Sequence, residues 1–440
     1  MAKLSSIAYY VTDKISSNDI SLAEYVTTDC ILQNKKGREV ATNLPPQPCS
    51  LIRYQRGDVL IANIRPYLKK VWFADIDGGA SPDVLVFRAK DGHSPSFLYA
   101  ILLQDSFFDY VMQGTKGSKM PRGDKEQILR YEMPTFSCSE ESIGTFFLNL
   151  DRKIHLNERI NQNLEAMAKQ LYDYWFVQFD FPNEDGEPYK SSGGEMIWNE
   201  SLKREIPKGW ITTTINGVCT SCRGVSYGKD DLLPNGNGVL VFRGNNIENN
   251  HIVYDSNVAF VPYDFINEEQ RIKEGDIVMT MSSGSKAHVG KCAMFYKDSE
   301  HTFGAFLSKF TPKKEMRYMI FLFLTSEYFK SLITAFCNGT GINNLTNQTF
   351  DDVILVLPNE NTLQQFESKV KPLFDIIGNN EENIEILTKQ RNELLPLLMN
   401  GQVSINSDLS ACINLIIRTT TRICSYPNDL FWSYLRIVFL

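Results

Sequence analysis

The chain has 440 residues, of which 43% are hydrophobic and 12% aromatic, and its formal net charge is −7 at pH 7. This length suits two folding units of ordinary size with connectors, and no apolar run reaches the roughly 18 residues of a membrane-spanning helix. The amino terminus shows no signal-peptide pattern, and the nine cysteines are scattered, so we expect a reduced, cytoplasmic protein. The negative net charge argues against indiscriminate nucleic-acid binding.

Residues 1–137 have the pattern of a strand-rich domain. Short apolar runs bounded by turn residues predict strands at Val59–Ala62, Lys70–Phe73 and Val84–Phe87. Pro95–Met112 has helical periodicity. After this segment the chain becomes basic and rich in glycine.

Residues 138–178 predict one long helix. Apolar residues recur every seven positions, with a second set four residues after each of the first, which gives a narrow stripe that requires a partner helix. Ser139 or Ser142 is the predicted N-cap. The first set is Ile143, Leu150, Leu164 and Leu171, with the polar Asn157 at the middle position.

The remaining chain divides into four further segments. Residues 179–209 are an irregular connector rich in Pro, Gly and Ser, and 210–358 form a second globular domain. Residues 359–402 predict a second long helix, in which Pro372 and Pro396 indicate kinks or boundaries. Residues 403–440 have no counterpart earlier in the chain, and the sequence assigns them no role.

An internal repeat relates the two halves of the chain. Shifted by about 223 positions, the second long helix falls on the first, with Asn380 at the position of Asn157. Gly57–Leu60 returns as Gly275–Val278, and Leu4–Ala8 as Ile215–Cys219. The chain is therefore predicted to be an α+β protein, with two pseudo-symmetric strand-rich domains separated by two long antiparallel coiled-coil helices. We expect Asn157 and Asn380 to pair where these helices meet.

No catalytic motif is found in the sequence. Cys219 and Cys222 form a lone CxxC pair without a second pair or a histidine at ligand spacing. Gly284–Lys291 resembles a phosphate-binding loop, but it is one residue too long and is followed by Cys292 where Ser or Thr is required. The five histidines form no metal-binding motif. We therefore expect neither a metal site nor an active site in this chain.

Local clusters of positive charge and amides give a different signal. Arg and Lys neutralise phosphates, while Arg and Asn also make bidentate contacts to base edges. For any one of these residues a solvated surface remains the alternative. The candidate DNA-binding residues are Arg53, Arg56, Arg65, Lys69, Lys70, Lys116, Lys119, Arg122, Arg243, Asn245, Asn246, Ser283, Lys286, His288, Lys291, Asn343 and Asn344.

The first long helix ends in an aromatic cluster, Tyr172, Tyr174, Trp175 and Phe176. Four large rings exceed what a narrow helix seam buries. We therefore predict that some of them bind the connector or a partner protein, with core packing as the alternative.

Three segments resemble the specificity subunit of type I restriction-modification systems: Tyr172–Gly194, Lys203–Trp210 and Arg391–Gly401. Gly57–Phe87 is similar to one variety of that family's first target-recognition domain. The resemblance extends over about residues 3–403 and implies two target-recognition domains that read a bipartite double-stranded DNA sequence, one half-site each.

The resemblance also implies the partners. The helices would bind two methyltransferase subunits that carry S-adenosylmethionine, and through them the restriction and translocase subunits that use ATP and magnesium. The chain itself would be non-catalytic, without a bound cofactor, and part of an antiviral defence system. Three alternatives stay open: a helical scaffold that never meets DNA, an enzyme with an unrecognised site, and a variant made inactive by its tail.

Overall fold

The structure is a computed structural model that describes residues 2–117, 119–133, 139–234, 237–254, 258–337 and 344–399. The described chain divides into two compact units. Unit 1 holds the residues up to Glu158 and the helical residues from Asn383 onward, and unit 2 holds Arg159–Glu382. The predicted tail 403–440 and the candidate Asn343 lie outside the described residues.

Unit 1 contains ten strands and four short helices among its described residues. The strands are β1 (Ala2–Lys3), β2 (Ala8–Tyr10), β3 (Lys14–Ser16), β4 (Tyr25–Val26), β5 (Ser50–Tyr54), β6 (Val59–Ala62), β7 (Val71–Phe73), β8 (Gly78–Ala80), β9 (Val84–Ala89) and β10 (Glu132–Met133). The helices are α1 (Leu4–Ile7), α2 (Pro95–Leu102), α3 (Asp105–Gln113) and α4 (Lys125–Leu129).

The central sheet of unit 1 has the order β2-β9-β6-β7 and is antiparallel throughout. All four residues of β6 are buried, as expected for a central strand covered on both faces. A second sheet has the order β3-β5-β8-β4, and β1 pairs with β10. The core joins the central sheet and α2 to apolar residues of both long helices, among them Phe147 and Leu395.

Unit 2 repeats this plan with further strands. They are β11 (Met196–Asn199), β12 (Arg204–Pro207), β13 (Ile211–Thr214), β14 (Cys219–Arg223), β15 (Val239–Phe242), β16 (Ile247–Glu248), β17 (His251–Ile252), β18 (Ala259–Val261), β19 (Ile277–Thr280), β20 (Cys292–Met294), β21 (Thr302–Phe303), β22 (Leu307–Pro312) and β23 (Ile354–Leu357). Two long helices, α5 (Glu140–Tyr172) and α9 (Glu360–Met399), are shared with unit 1, and the short helices are α6 (Ile215–Val218), α7 (Arg317–Leu324) and α8 (Glu327–Cys337).

The central sheet of unit 2 has the order β14-β22-β19-β20. Each of its strands occupies the place of a strand in the unit 1 sheet β2-β9-β6-β7, with the same antiparallel pairing. The short helix α1 precedes β2, and α6 precedes β14. In chain order β9 and β22 are the last strands of the two sheets, and each is followed by a pair of helices, α2 and α3 in unit 1 and α7 and α8 in unit 2. The additional sheets differ, because unit 2 has the three-stranded order β18-β15-β21.

Helix α5 confirms the predicted long central helix, and a π-helical turn, Asp173–Val177, extends it. The side chain of Ser139 accepts a hydrogen bond from the backbone nitrogen of Ser142 (3.2 Å), as an N-cap does. Helix α9 continues through Pro372 and Pro396, so neither proline marks its end.

Among the described residues no single helix is long and apolar enough to cross a membrane, although the bent pair Lys314–Leu324 and Glu327–Cys337 meets the length and composition test.

The two long helices are antiparallel where they pack in unit 2. The Asn380 amide donates to Asn161 (2.8 Å), and further along α5 the ring of Phe176 packs on Phe366 with centroids 4.7 Å apart. The Asn161 amide in turn donates to Glu381 (2.9 Å). The predicted pairing of Asn380 with Asn157 is therefore wrong by one helical turn, because sequence spacing fixes the face of a helix but not the axial register.

A buried ion pair recurs in the two central sheets. Asp58, directly before β6, is 1% exposed and binds the Arg88 guanidinium through both oxygens at 2.8 Å. Asp276, directly before β19, is also 1% exposed and lies 3.1 Å from Lys309 Nζ. Each carboxylate also accepts a hydrogen bond from the backbone three residues earlier, at Gln55 and Lys273. These contacts fix the same turn in both units.

We predict that Asp276→Ala lowers the free energy of unfolding by about 3–5 kcal/mol, because it leaves the Lys309 charge buried without its partner. Asp375→Ala is the matched control, since its pair with Lys371 is an exposed i,i+4 contact worth about 0.3–0.5 kcal/mol. Urea titration of both variants measures the difference. Equal losses of unfolding free energy in the two variants would show that the buried pair stabilises the protein no more than the exposed pair does.

His251 connects β17 to both long helices within unit 2. Its Nε2 lies 2.9 Å from Glu165 of α5, and its Nδ1 lies 3.1 Å from Glu381 of α9. The second contact has ion-pair distance but lacks hydrogen-bond direction. Burial disfavours the imidazolium, but the contacts with the two carboxylates outweigh this effect and raise the pKa of His251 to about 10. The charged form therefore holds this strand against the helices at neutral pH.

The raised pKa predicts a pH dependence of stability. The folded state binds the His251 proton more tightly than the unfolded state, whose histidine pKa is about 6.5. The stabilisation is therefore complete below pH of about 6.5 and decreases as the pH rises towards 10. We expect the stability difference between the native chain and His251→Gln to shrink over this range in urea titrations. His288→Gln, in an exposed loop, is the control, and a difference independent of pH would contradict the assignment.

Candidate nucleic-acid interface

In unit 1, three loops meet at one end of the central sheet. The β6–β7 loop follows β6, and its Asn63 nitrogen donates to the Asp83 carbonyl (2.9 Å) in the turn before β9. The Gly123 nitrogen donates to the Asn63 carbonyl (3.3 Å), which ties the loop after α3 to the same point. The Arg65 nitrogen donates to the Pro121 carbonyl (2.8 Å). We call these three connected loops the unit 1 loop cluster.

Several predicted DNA-binding residues belong to this cluster. Arg65 and Lys119 are exposed, and the backbone of Arg65 is left-handed, with a φ of 53°. Lys116 and Arg122 form an isolated antiparallel bridge to each other. The Arg122 guanidinium lies 3.3 Å from Asp83, and Lys116 Nζ lies 3.0 Å from Asp124. Both pairs are exposed to solvent, so they are weak and can exchange for phosphates or bases.

Other predicted residues of unit 1 lie elsewhere. Arg53 lies in β5, a strand of the second sheet. Arg56 precedes β6, whereas the cluster follows it, and the two ends of this four-residue strand are about 13 Å apart. The Arg56 side chain donates to the Asp75 carbonyl (2.8 Å). Their assignment as DNA-binding residues stays a prediction, independent of the loop cluster.

Lys69 and Lys70 occupy the β6–β7 loop but are engaged within the protein. Lys69 Nζ lies 2.8 Å from Asp105, which also binds the buried Lys35 at 2.8 Å. Lys70 Nζ donates to the Thr28 carbonyl (2.6 Å). These lysines therefore shape the loop, and their charges are partly compensated.

Unit 2 builds the same arrangement at the end of β19. The Met281 nitrogen donates to the Phe306 carbonyl (2.9 Å), and the Leu345 nitrogen donates to the Met281 carbonyl (2.8 Å). Ser282 forms an isolated bridge with Asn344. The Arg223 guanidinium donates to the Ala305 (3.2 Å) and Leu345 (2.9 Å) carbonyls. The β19–β20 loop, the turn before β22 and the segment at Asn344 and Leu345 form the unit 2 loop cluster.

A close backbone approach supports the unit 2 loop cluster. A Cβ atom at Gly224 would lie 2.3 Å from the Gly304 carbonyl oxygen, so only glycine allows the chain after β14 to pass this turn. The Gly304 nitrogen donates to the Phe242 carbonyl (2.9 Å), which brings the end of β15 to the cluster. Arg243, the next residue, donates from Nε to the Tyr227 hydroxyl (2.9 Å).

The predicted residues of unit 2 fall into two groups. Asn245 and Asn344 are exposed in the described loops, as are Lys286 and His288 of the β19–β20 loop, which also contains Ser283 and Lys291. Lys291 Nζ lies 3.2 Å from His288 Nδ1. Asn246, in contrast, is completely buried, and its amide accepts from the Arg243 nitrogen (2.8 Å) and donates to the Val253 carbonyl (3.0 Å). The oxygen and the nitrogen of that amide both bind within the protein, so Asn246 has a structural role, and its predicted DNA contact does not fit this burial.

Matching hydrogen bonds align the two loop clusters residue by residue. Asn63 corresponds to Met281, and Asp83 to Phe306, because each pair makes the same backbone contact. The bridges Ile64–Arg122 and Ser282–Asn344 align Arg122 with Asn344. Sequence reasoning missed Asp83, Phe306, Arg223 and Tyr227, although the repeat could have directed attention to the turn before β9 and β22.

The aromatic cluster of α5 is largely internal to unit 2. Trp175 is 1% exposed, and Tyr172 and Phe176 are each 6% exposed. Phe176 packs on Trp210 and Phe366. Predicted binding of a partner by Tyr172, Trp175 and Phe176 does not fit this burial, because a helix with a long apolar face packs first on its own chain. Tyr174 remains partly exposed.

The side chains of the two loop clusters are suited to binding a nucleic acid. Guanidinium groups and amides can bind guanine and adenine edges or phosphates. Within the described residues, no group of His, Cys, Asp and Glu side chains is arranged to hold a metal ion.

Comparison with known proteins finds similarity to one family. Residues 207–394 match the model of the type I restriction modification DNA specificity domain. The MjaIX type I restriction enzyme specificity subunit of Methanocaldococcus jannaschii is 25% identical over 404 residues, which span 89% of this chain and 86% of that protein. The EcoKI specificity subunit of Escherichia coli K12 is 31% identical over 214 residues, or 46% of this chain and 44% of that protein.

The fold agrees with a solved structure of the same kind. The S subunit of a type I restriction-modification system from M. genitalium superimposes with a TM-score of 0.52 at 13% identity, covering 90% of this chain and 95% of that chain. A similarity at this identity supports the fold, which is mixed α and β. The resemblance carried by the sequence motifs is thus confirmed: the chain is similar to the specificity subunits of type I restriction-modification systems.

Proposed function

We propose that the chain reads a bipartite sequence in double-stranded DNA, with one half-site contacted by the loop cluster of each unit. The observation that carries this proposal is the recurrence of the same three connected loops in both units. A shared backbone frame presents the two surfaces in the same way. Different side chains on that frame would select different bases.

The side chains at equivalent positions support two distinct half-sites. Arg122 in unit 1 corresponds to Asn344 in unit 2. Arginine pairs with the O6 and N7 atoms of guanine, whereas asparagine pairs with N6 and N7 of adenine. Lys116 and Lys119 in unit 1, and Lys286 and Lys291 in unit 2, would bind phosphates and set the register of each unit.

The chemical steps belong to partner subunits in this proposal. The chain would bind two methyltransferase subunits, which carry S-adenosylmethionine, and through them the restriction and translocase subunits with ATP and magnesium. The exposed sides of α5 and α9 are the proposed contact surface, with Tyr174 as the partly exposed aromatic residue at the end of α5. The complex would act in the cytoplasm.

Exchange of the second recognition module tests this proposal. Ile211 pairs with Leu357 in the ladder of β13 and β23, so both ends of the segment 211–357 lie side by side. Replacing this segment with the corresponding segment of another family member should rewrite one half-site and leave the other unchanged. Sequencing of methylated adenines in cells that carry the hybrid and its methyltransferase measures both halves.

Co-purification of the hybrid with the methyltransferase is the control for assembly. The reciprocal exchange of residues 2–133, bounded by the paired strands β1 and β10, should change the opposite half-site. Assembled hybrids in which both half-sites change, or neither does, would contradict the assignment of one half-site to each unit.

A further inference from the structure

We propose that Phe306 is a base-reading residue that recognises a thymine in the major groove through its 5-methyl group. This inference rests on the proposed function of the unit 2 loop cluster. It assigns a specific chemistry to one residue of that cluster, for which neither the candidate list nor the sequence motifs gave a role.

Hydrogen bonds hold the backbone of Phe306 in place, although its ring is in solvent. The side chain is 71% exposed. Its carbonyl accepts hydrogen bonds from the nitrogens of Met281 (2.9 Å) and Ser282 (3.3 Å). The preceding residue, Ala305, accepts from the Arg223 guanidinium (3.2 Å) and donates its own nitrogen to the Val225 carbonyl (2.9 Å). The backbone of Phe306 is therefore held in place, so only the side-chain torsions of the ring have to be ordered on binding.

The location distinguishes Phe306 from an ordinary exposed apolar residue. Single exposed hydrophobic side chains are common on proteins. The backbone of Phe306, however, lies at the junction of the three loops, beside the Ser282–Asn344 bridge. An apolar group within a polar reading surface matches the one apolar feature of the major groove, the thymine methyl group.

The equivalent position in unit 1 has the opposite chemistry. Asp83 makes the same backbone contact to Asn63 that Phe306 makes to Met281. Its carboxylate lies 3.3 Å from the Arg122 guanidinium. A carboxylate cannot replace an apolar contact to a methyl group, but it can orient an arginine towards guanine. The equivalent backbone position thus carries a polar side chain in unit 1 and an apolar side chain in unit 2. This is the difference expected between two half-sites.

Substitution of thymine by deoxyuridine tests the inference, since it removes only the methyl group. The probe is the complex of the full chain with its methyltransferase, bound to duplexes carrying the target sequence determined by methylome sequencing. Each thymine in both half-sites is replaced in turn. We expect one replacement in the half-site of unit 2 to weaken binding about four-fold, the effect of losing one buried methyl group.

Two substitutions connect that thymine to Phe306. Phe306→Ala should lower affinity for the thymine duplex and abolish the difference between thymine and deoxyuridine, whereas Phe306→Leu should retain part of it. Tyr263→Ala is the matched control, because this ring is also 71% exposed but lies outside the loop cluster, and it should keep the full thymine preference. The same purified complexes report assembly, so a failure to fold is visible.

The outcomes separate the two proposals. A complex with no sequence preference in either half would overturn the proposed function itself. Specific binding in which Phe306→Ala keeps the full deoxyuridine effect would overturn only the role of Phe306. A unit 2 half-site that contains no A·T pair would overturn it as well.

Discussion

A carboxylate buried at the same turn of each unit is the constraint on which both loop clusters depend. Asp58 and Asp276 stand directly before the central strands β6 and β19, and each is neutralised by a basic residue on the adjacent strand. A charge so deeply buried requires its partner, so the turn and the neighbouring strand are fixed together. The opposite end of each of these strands continues into the loop cluster. Fixing the strand therefore fixes the residues at which the loop cluster begins.

The long helices use polar contacts for register, and the two units use different ones. In unit 1, the Arg391 guanidinium binds Asp151 (2.8 Å), which also accepts from the Tyr99 hydroxyl (2.7 Å). In unit 2, the Asn161–Asn380 pair and the His251 contacts serve this purpose. An apolar heptad stripe alone allows axial sliding, whereas buried polar groups specify one register. This difference makes each packing arrangement specific to its own unit.

The sequence predicted features that depend on local pattern. The heptad spacing identified the long helix α5, the apolar run Val59–Ala62 identified β6, and the repeat of Gly57–Leu60 at Gly275–Val278 coincides with the start of β19. Features that depend on tertiary placement were missed or misjudged. Asn246 has the composition of a DNA contact but is buried by the fold, and the Trp175 ring enters the core. Phe306 was missed because nothing in a Gly-Ala-Phe-Leu stretch shows that its backbone meets two other loops.

In the proposed function, equivalent positions of the two loop clusters read opposite halves of one DNA target. The most direct measurement is the methylated sequence in cells that carry either Arg122→Ala or Asn344→Ala, two substitutions at aligned positions. We expect Arg122→Ala to relax the sequence requirement at one base pair of one half-site. We expect Asn344→Ala to relax it at one base pair of the other half-site. Relaxation of the same half-site by both variants, or of neither by variants that still assemble and methylate DNA, would contradict this proposal.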